Sequence, residues 1–303
     1  MSKKNSILLG VLALLLIAVY IYQGPYSDRR DNKGGDVLAS TAVEDLDGLE
    51  IEKNATTTVS LAKDEKGWKL ADSKEFYIKE GVNEELNDAL RNLKEGSVEE
   101  VSSSPNRRGE FGTDDSGVKL TLYSGEEKVK ELIVGDSGPG IESSYISYPE
   151  EWKTYSVGSG ISGLVQREQW GDPEIFNTDK EKITNIRFQY PDSEFTIEKR
   201  DEGWRAVDSP YSSNISQDKV EEVLNVMTDL IAAGIPEQTF EGTGLDKHLI
   251  IVEASGEEEN NTLMVGEADE EGLYYAKKAK SDNIYLITEE QRNILKTTVE
   301  DLR

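Results

Sequence analysis

SGEEKVKELIVG, residues 124–135, recurs as SGEEENNTLMVG at residues 255–266, and this recurrence decides the fold. Both stretches open with a Ser-Gly-Glu-Glu turn and close with a Val-Gly pair, at a constant offset of 131 residues. An ungapped match through a turn and the strand after it is typical of an internal repeat. We therefore predict that the chain carries the same folding unit twice.

Further matches flank this stretch in the same order. The offset is 136 for Gly67-Trp68 against Gly203-Trp204, 132 for Gly112 against Gly244 and 130 for Tyr155 against Tyr285. The largest step in the offset falls in a loop around 102–109, which is where an insertion is tolerated. The residues that mark the repeat are Gly67, Trp68, Gly112, Gly135, Tyr155, Gly203, Trp204, Gly244, Gly266 and Tyr285.

Each copy contains a hairpin pattern, one helix and a series of short strands. In the first copy the apolar positions 86, 89, 90 and 93 share one face of a helix. The strands after it are short and separated by tight turns, and a closing helical segment follows each last strand, near 161–166 and 288–302. We predict an α+β fold in which each copy is an antiparallel β-meander covered by an amphipathic helix. The first repeat spans 43–170 and the second spans 171–303.

The amino terminus has the composition of a membrane anchor. Lys3 and Lys4 precede an uncharged apolar run at 7–22, which as a helix is about 24 Å long against a hydrocarbon core of about 30 Å. The run ends without a small-x-small cleavage site, so an uncleaved anchor is favoured over a cleaved signal peptide. We predict a transmembrane helix within a signal anchor at 1–23, a linker at 24–42, and contact with the lipid bilayer through residues 7–22. The chain would then be a single-pass cell-membrane protein with its C-terminal domains outside the cytoplasm.

Composition excludes several classes of function. The chain has 34 Lys plus Arg against 60 Asp plus Glu, a formal charge of −26, no Cys and one His. Nucleic-acid binding depends on clustered basic side chains, so we expect no nucleic-acid partner. Thiolate catalysis and zinc-thiolate sites need cysteine, and no site can use two imidazoles. We expect no cofactor, no metal and no catalytic residue.

Four features are candidates for chemistry or contact. Ser137 lies in a Gly-Asp-Ser-Gly segment like that of trypsin-like proteases. A catalytic triad needs an imidazole beside the serine hydroxyl, so we favour the interpretation that this segment is a hairpin turn. The only His, His248, is expected at a strand edge. The acidic loops near 114, 257 and 269 could hold Ca²⁺ but lack EF-hand spacing. Trp152, which the repeat does not duplicate, is either an exposed contact residue or packed between the domains.

The residues that mark the repeat also carry a resemblance. A Gly-Trp turn, a helix, a Gly-x-Asp turn at Gly112 or Gly244, a Val-Gly turn at Gly135 or Gly266 and a Tyr-bearing strand follow one another twice. This order resembles the domain-of-unknown-function 4340 family. The resemblance implies a membrane-anchored protein associated with ABC-type transport systems of the gliding-motility kind. It implies no catalytic residues.

These observations favour a membrane-anchored extracytoplasmic protein without enzymatic activity. We expect it to act as an accessory or interaction module, with subunits of an ABC-type transport complex as its partners. The alternative is an extracytoplasmic enzyme or ligand-binding protein that uses carboxylates in the cleft between the repeats.

Overall fold

The computed structural model of the chain describes residues 37–38, 41–54, 57–207 and 215–303. The strands of its first half are β1 (Gly48–Asn54), β2 (Thr57–Asp64), β3 (Gly67–Leu70), β4 (Val98–Ser102), β5 (Val118–Ser124), β6 (Glu127–Ser137), β7 (Ser143–Ser147), β8 (Thr154–Gly158) and β9 (Glu174–Asn177). Those of its second half are β10 (Ile183–Tyr190), β11 (Ser193–Arg200), β12 (Gly203–Ala206), β13 (Asp229–Ile231), β14 (Ile250–Gly256), β15 (Asn260–Ala268), β16 (Tyr274–Lys278) and β17 (Ile284–Ile287). The α-helices are α1 (Glu80–Glu95), α2 (Ile161–Val165), α3 (Gln217–Thr228) and α4 (Glu289–Leu295).

The strands form three antiparallel sheets. The first has eight strands in the order β3-β2-β1-β5-β6-β7-β8-β4, and the second has seven in the order β12-β11-β10-β14-β15-β16-β17. A small third sheet pairs β13 with β9. In both large sheets the first strand of the copy lies in the interior: β1 pairs with β2 and β5, and β10 pairs with β11 and β14.

The predicted fold class is wrong. The prediction was α+β with a transmembrane helix and two helix-covered meanders, whereas the described residues are mostly β-sheet. The strand order is not that of a meander, because β1 separates β2 from β5 and because β4 pairs with β8 at the far end of its sheet. These pairings join segments that are distant in the sequence, and local alternation of polar and apolar residues does not reveal them. The third sheet was also not predicted.

No helix in the described part of the chain is both long enough and apolar enough to cross a membrane. The predicted anchor at 1–23, its bilayer contact at 7–22 and most of the linker at 24–42 lie outside the described residues.

The described residues divide into two units. The first contains the residues up to Lys66 and Glu80–Arg167, and the second contains Gly67–Lys79 and Glu168–Arg303. In the first unit α1 buries one apolar face at helical spacing, formed by Val82, Leu86, Ala89, Leu90 and Leu93. In the second unit α3 does the same with Val220, Val223, Leu224, Val226 and Met227. Burial of an apolar stripe of this kind is the main source of helix stability in a folded protein.

Candidate functional site

The glycines of the Gly-x-Asp and Val-Gly turns are brought together in the first unit. Gly112 ends a 3-10 turn with φ of 63°, a left-handed conformation that glycine adopts without strain. A Cβ atom on Gly135 would lie 2.1 Å from the carbonyl oxygen of Phe111, which is closer than any real side chain could be. Gly135 also lies where the pairing of β6 with β7 shifts register, between Val134 and Ser137.

The second unit repeats this geometry. Gly244 has φ of 67°, and a Cβ atom on Gly266 would lie 2.2 Å from the carbonyl oxygen of Thr243. The Glu267 amide donates to that same oxygen at 2.9 Å, and β15 shifts register against β16 between Val265 and Ala268. All four glycines therefore hold a turn tightly against an irregular strand, which is a structural role.

The remaining markers lie on other strands. Gly67 and Gly203 begin β3 and β12 with φ of 132° and 114°. The tryptophans that follow them, Trp68 and Trp204, are buried. Such positions fit core packing and provide no surface for a ligand.

The marker tyrosines are also buried. Tyr155 donates from its hydroxyl to Glu151 at 2.8 Å, and its pKa is raised chiefly by burial and then by that hydrogen bond. Burial likewise raises the pKa of Tyr285, whose ring centroid lies 5.0 Å from that of Phe76. Both tyrosines are therefore neutral at ordinary pH, and neither is an activated base.

Ser137 and His248 do not resemble catalytic residues in this structure. Ser137 is the last residue of β6, at the start of the predicted turn, and its hydroxyl oxygen lies 3.1 Å from that of Ser162. His248 is exposed and has φ of 50°, following a 3-10 turn two residues before β14 begins. Serine bonded to another hydroxyl has no base to activate it.

The acidic loops do not form a metal site in the described part of the chain, where no three His, Asp or Glu side chains are grouped to hold an ion. Asp114 instead accepts from the hydroxyl of Ser116 at 2.6 Å, which lowers the pKa of its carboxyl. Asp269 accepts from the amides of Glu271 and Leu273. These aspartates shape turns.

Trp152 is 65% exposed. It lies between β7 and β8. The same unit contains an edge-to-face pair of aromatic rings, Tyr148 and Tyr155, whose centroids are 5.6 Å apart. The Nζ atom of Lys130 lies 4.3 Å from the centroid of the Tyr148 ring. Of the two alternatives for Trp152, the exposed one agrees with this position.

One cavity of interest is in the second unit. We call it the second-unit groove; it lies between α3 and the segment from α4 to the C-terminus, has a volume of about 670 Å³, and is lined by Glu222, Val223, Glu289, Glu290, Ile294 and Asp301, among others. Its C-terminal wall is fixed because the Ser216 amide donates to the Leu302 carbonyl at 2.7 Å. A capping box of Thr288 and Gln291 fixes the start of α4.

The first unit has a cavity in the corresponding place. This first-unit groove lies between α1 and α2, has a volume of about 520 Å³, and is lined by Glu85, Asp88, Gly160, Gly163, Leu164 and Arg167, among others. An offset of 137 relates Glu85 to Glu222, and an offset of 130 relates Gly160, Gly163 and Leu164 to Glu290, Asn293 and Ile294. The offset of 137 also relates Leu86 of the first helix to Val223 of the second, and the offset of 130 is that of Tyr155 and Tyr285. The two grooves are therefore equivalent features of the two copies.

The two grooves differ in charge. In the first, the Arg167 guanidinium lies 3.4 Å from the Glu85 carboxylate, and Asp88 pairs with Arg91 at 2.7 Å. In the second, Glu222, Glu289 and Glu290 form no ion pair with any described residue. The second-unit groove is therefore the more negative of the two.

A third cavity, of about 410 Å³, lies on the first unit near Arg108 and Asp114. Its charges are largely matched, since the Lys119 ammonium lies 2.6 Å from Glu52 and this contact raises the pKa of Lys119. Lys53 donates to the carbonyls of Gln166 and Arg167. Two cations that line this cavity, Lys53 and Lys119, therefore already have partners within the unit.

Comparison with known families gives one match. The sequence model for the domain of unknown function DUF4340 matches residues 81–247, more than half of the chain. The chain belongs to the DUF4340 family. The DUF4340 match runs from the beginning of α1 through α3 to the 3-10 turn Leu245–Lys247. Neither a curated protein nor a solved structure matches the chain.

Sequence reasoning missed both grooves of this DUF4340 protein. Each groove is lined by a helix and by a closing segment about 70 residues later in the chain. No local sequence motif predicts that these two segments lie next to each other. The repeat offsets were the available signal, because they make the closing segments 161–166 and 288–302 equivalent to each other, as they do the two helices.

Proposed function

We propose that this DUF4340 protein is a non-enzymatic interaction module that binds subunits of an ABC-type membrane transport complex. The apolar segment 7–22 would hold it at the cell membrane, with its two units on the extracytoplasmic side. The observation that carries the proposal is the recurrence of a solvent-facing groove at equivalent positions in both units. The transport link rests on family resemblance.

Three carboxylates of the described residues are unsuited to acid catalysis. A carboxylate-based hydrolase needs an acid that keeps its proton near neutral pH. The pKa values of Asp114, Glu194 and Asp282 are instead lowered, by hydrogen bonds to Ser116, Arg187 and Lys74 respectively. Carboxylates stabilised in this way are poor proton donors, so these three do not fit the role of the general acid in the enzyme alternative.

Membrane fractionation and co-purification of the full chain test the proposal. We expect the chain in the membrane fraction, and transport-complex subunits, identified by mass spectrometry, to co-purify with it after detergent extraction. Filling both grooves with Gly163→Trp and Asn293→Trp should remove that association, because a large ring then occupies the space for the partner. Asp201→Trp with Glu257→Trp, which adds the same rings at exposed turns, is the matched control.

Two results would contradict the proposal. One is recovery of the full chain in the soluble fraction. The other is purification of the wild-type chain from membranes without any transport subunit.

A further inference from the structure

The second-unit groove combines an aliphatic floor with a negative rim. Val223 and Leu302 are buried beneath it, and the partly buried Ile294 packs against the same core. Glu222, Glu289, Glu290 and Asp301 surround this floor, and all four are exposed. An occupant of the groove therefore meets apolar surface at the bottom and carboxylates at the edges.

The rim charge is not neutralised from within the described chain. The side chains of Glu222, Glu289 and Glu290 have neither an ion pair nor a hydrogen bond to a described residue. The cation at the rim, Lys219, donates from its ammonium to the backbone carbonyl of Asp301. The Asp301 carboxylate accepts from the amide and hydroxyl of Thr298 at 3.0 and 2.8 Å.

Local structure explains only part of this charge. Glu289 and Glu290 lie in the first turn of α4. Acidic side chains at this end of a helix interact favourably with the helix dipole and so stabilise the helix. Glu222 lies within α3, beyond its first turn, and has no such role. The equivalent rim position of the first unit, Glu85, is within 3.4 Å of an arginine, whereas position 297 in the second unit, which corresponds to Arg167, is a threonine.

We infer that the second-unit groove binds a cationic amphipathic segment of a partner protein, with apolar side chains on the floor and Lys or Arg side chains at the rim. This inference rests on the proposed function and specifies the chemistry of its partner. Charge complementarity selects this occupant, since a chain of charge −26 attracts cations and repels anionic lipids and nucleic acids. The volume of about 670 Å³ lies within the roughly 300–1,000 Å³ that is typical of ligand pockets. An amphipathic helix docking in a groove is a common mode of peptide recognition.

The test uses the full chain in non-ionic detergent and a synthetic probe peptide. The peptide carries Leu at positions i, i+3, i+4 and i+7 and Lys elsewhere, and a matched peptide carries Glu in place of Lys. The chain has no cysteine, so Asn293→Cys places one environment-sensitive fluorophore in the groove. Asp201→Cys, at an exposed turn, reports on non-specific binding. Partition of the peptide into detergent is the same for every variant and cancels in the comparison.

We expect the Lys peptide to change the emission of the label at 293 and not at 201, with an affinity that falls as salt rises. The double variant Glu222→Lys with Glu290→Lys should weaken binding roughly tenfold or more. Glu257→Lys with Glu270→Lys makes the same change in net charge at exposed turns away from the groove and should leave the affinity within about twofold.

Equal binding of the Glu peptide, equal weakening by both double variants, or no signal at 293 would overturn the inference. Each of these results leaves the proposed function standing if transport subunits still co-purify with the wild-type chain. Loss of that co-purification would instead remove the proposed function, whatever the peptide does.

Discussion

The hydroxyl of Tyr190 donates to the carbonyl oxygen of Leu295 at 2.8 Å. The same oxygen atom of Tyr190 accepts from the amide of Thr297 at 3.0 Å. One side chain on β10 therefore satisfies a donor and an acceptor that α4 leaves unpaired where it ends, and it positions the C-terminal wall of the second-unit groove.

Tyr190→Phe should lower the free energy of unfolding by about 1 kcal/mol or more, because two partly buried backbone groups lose their partner. Burial raises the pKa of Tyr190 to about 12, against 10 for a free tyrosine. The stability that the neutral hydroxyl contributes is therefore complete below pH 10 and is lost as the pH rises toward 12.

Urea titrations of both proteins at several pH values check this prediction. The difference in unfolding free energy between wild type and Tyr190→Phe should shrink above pH 10. A difference that stays constant between pH 7 and pH 11 would contradict it.

Gly135→Ala and Gly266→Ala should each destabilise the fold by about 1–3 kcal/mol or more, since the new methyl group collides with a carbonyl oxygen that cannot move freely. Gly81→Ala is the matched control, because nothing lies within 4 Å of a Cβ at that position. It should be neutral or stabilising by up to about 1 kcal/mol, as expected for a helical glycine. Chemical denaturation measures all three, and equal midpoints for Gly135→Ala and Gly81→Ala would refute the close contact.

Trp152→Phe should remove most of the acrylamide-quenchable tryptophan fluorescence and change stability by less than about 0.5 kcal/mol. The other three tryptophans, Trp68, Trp170 and Trp204, are 1%, 3% and 6% exposed, against 65% for Trp152. A neutral quencher is needed because the chain is strongly negative. Trp68→Ala, by contrast, should cost about 3–5 kcal/mol by leaving a cavity. Unchanged quenching in Trp152→Phe would mean that this side chain is covered.

Thr288→Ala should destabilise α4 by about 0.5–2 kcal/mol, because its hydroxyl accepts from the amide of Gln291 and completes the capping box. Ser216→Ala provides the comparison. Ser216 holds the same position before α3 but makes no capping hydrogen bond with its side chain. Thermal denaturation should give a clearly larger loss for Thr288→Ala, and equal losses would count against the observed cap.

Sequence reasoning predicted elements whose signal is local. The apolar spacing of Leu86, Ala89, Leu90 and Leu93 predicted a helix, and all four are buried on α1. The predicted fold class was nevertheless wrong. Strands such as β4 and β13 are short, and each pairs with a strand 50 or more residues away in the sequence. Their stability comes from pairing that single-segment patterns do not encode.

The candidate site was even harder to predict from the sequence than the fold. The carboxylates of the second-unit groove are spread from Glu222 to Asp301 and are few among the 60 acidic residues of the chain. Only the folded structure distinguishes these groove carboxylates from ordinary solvated carboxylates such as that of Glu257. The glycine and tryptophan markers were visible in the sequence because both copies need them for packing.

The tight approach of Gly135 to Phe111 and of Gly266 to Thr243 has a consequence for how these proteins diverge. Positions that tolerate no side chain remain glycine in both copies, whatever ligand each copy binds. Residues that are identical between the copies therefore indicate the shared scaffold and not a binding site. Differences in ligand preference would then arise at equivalent positions that carry different residues in the two copies. Examples are Gly160 against Glu290 and Arg167 against Thr297. A search for what distinguishes one DUF4340 protein from another should begin at those unlike pairs.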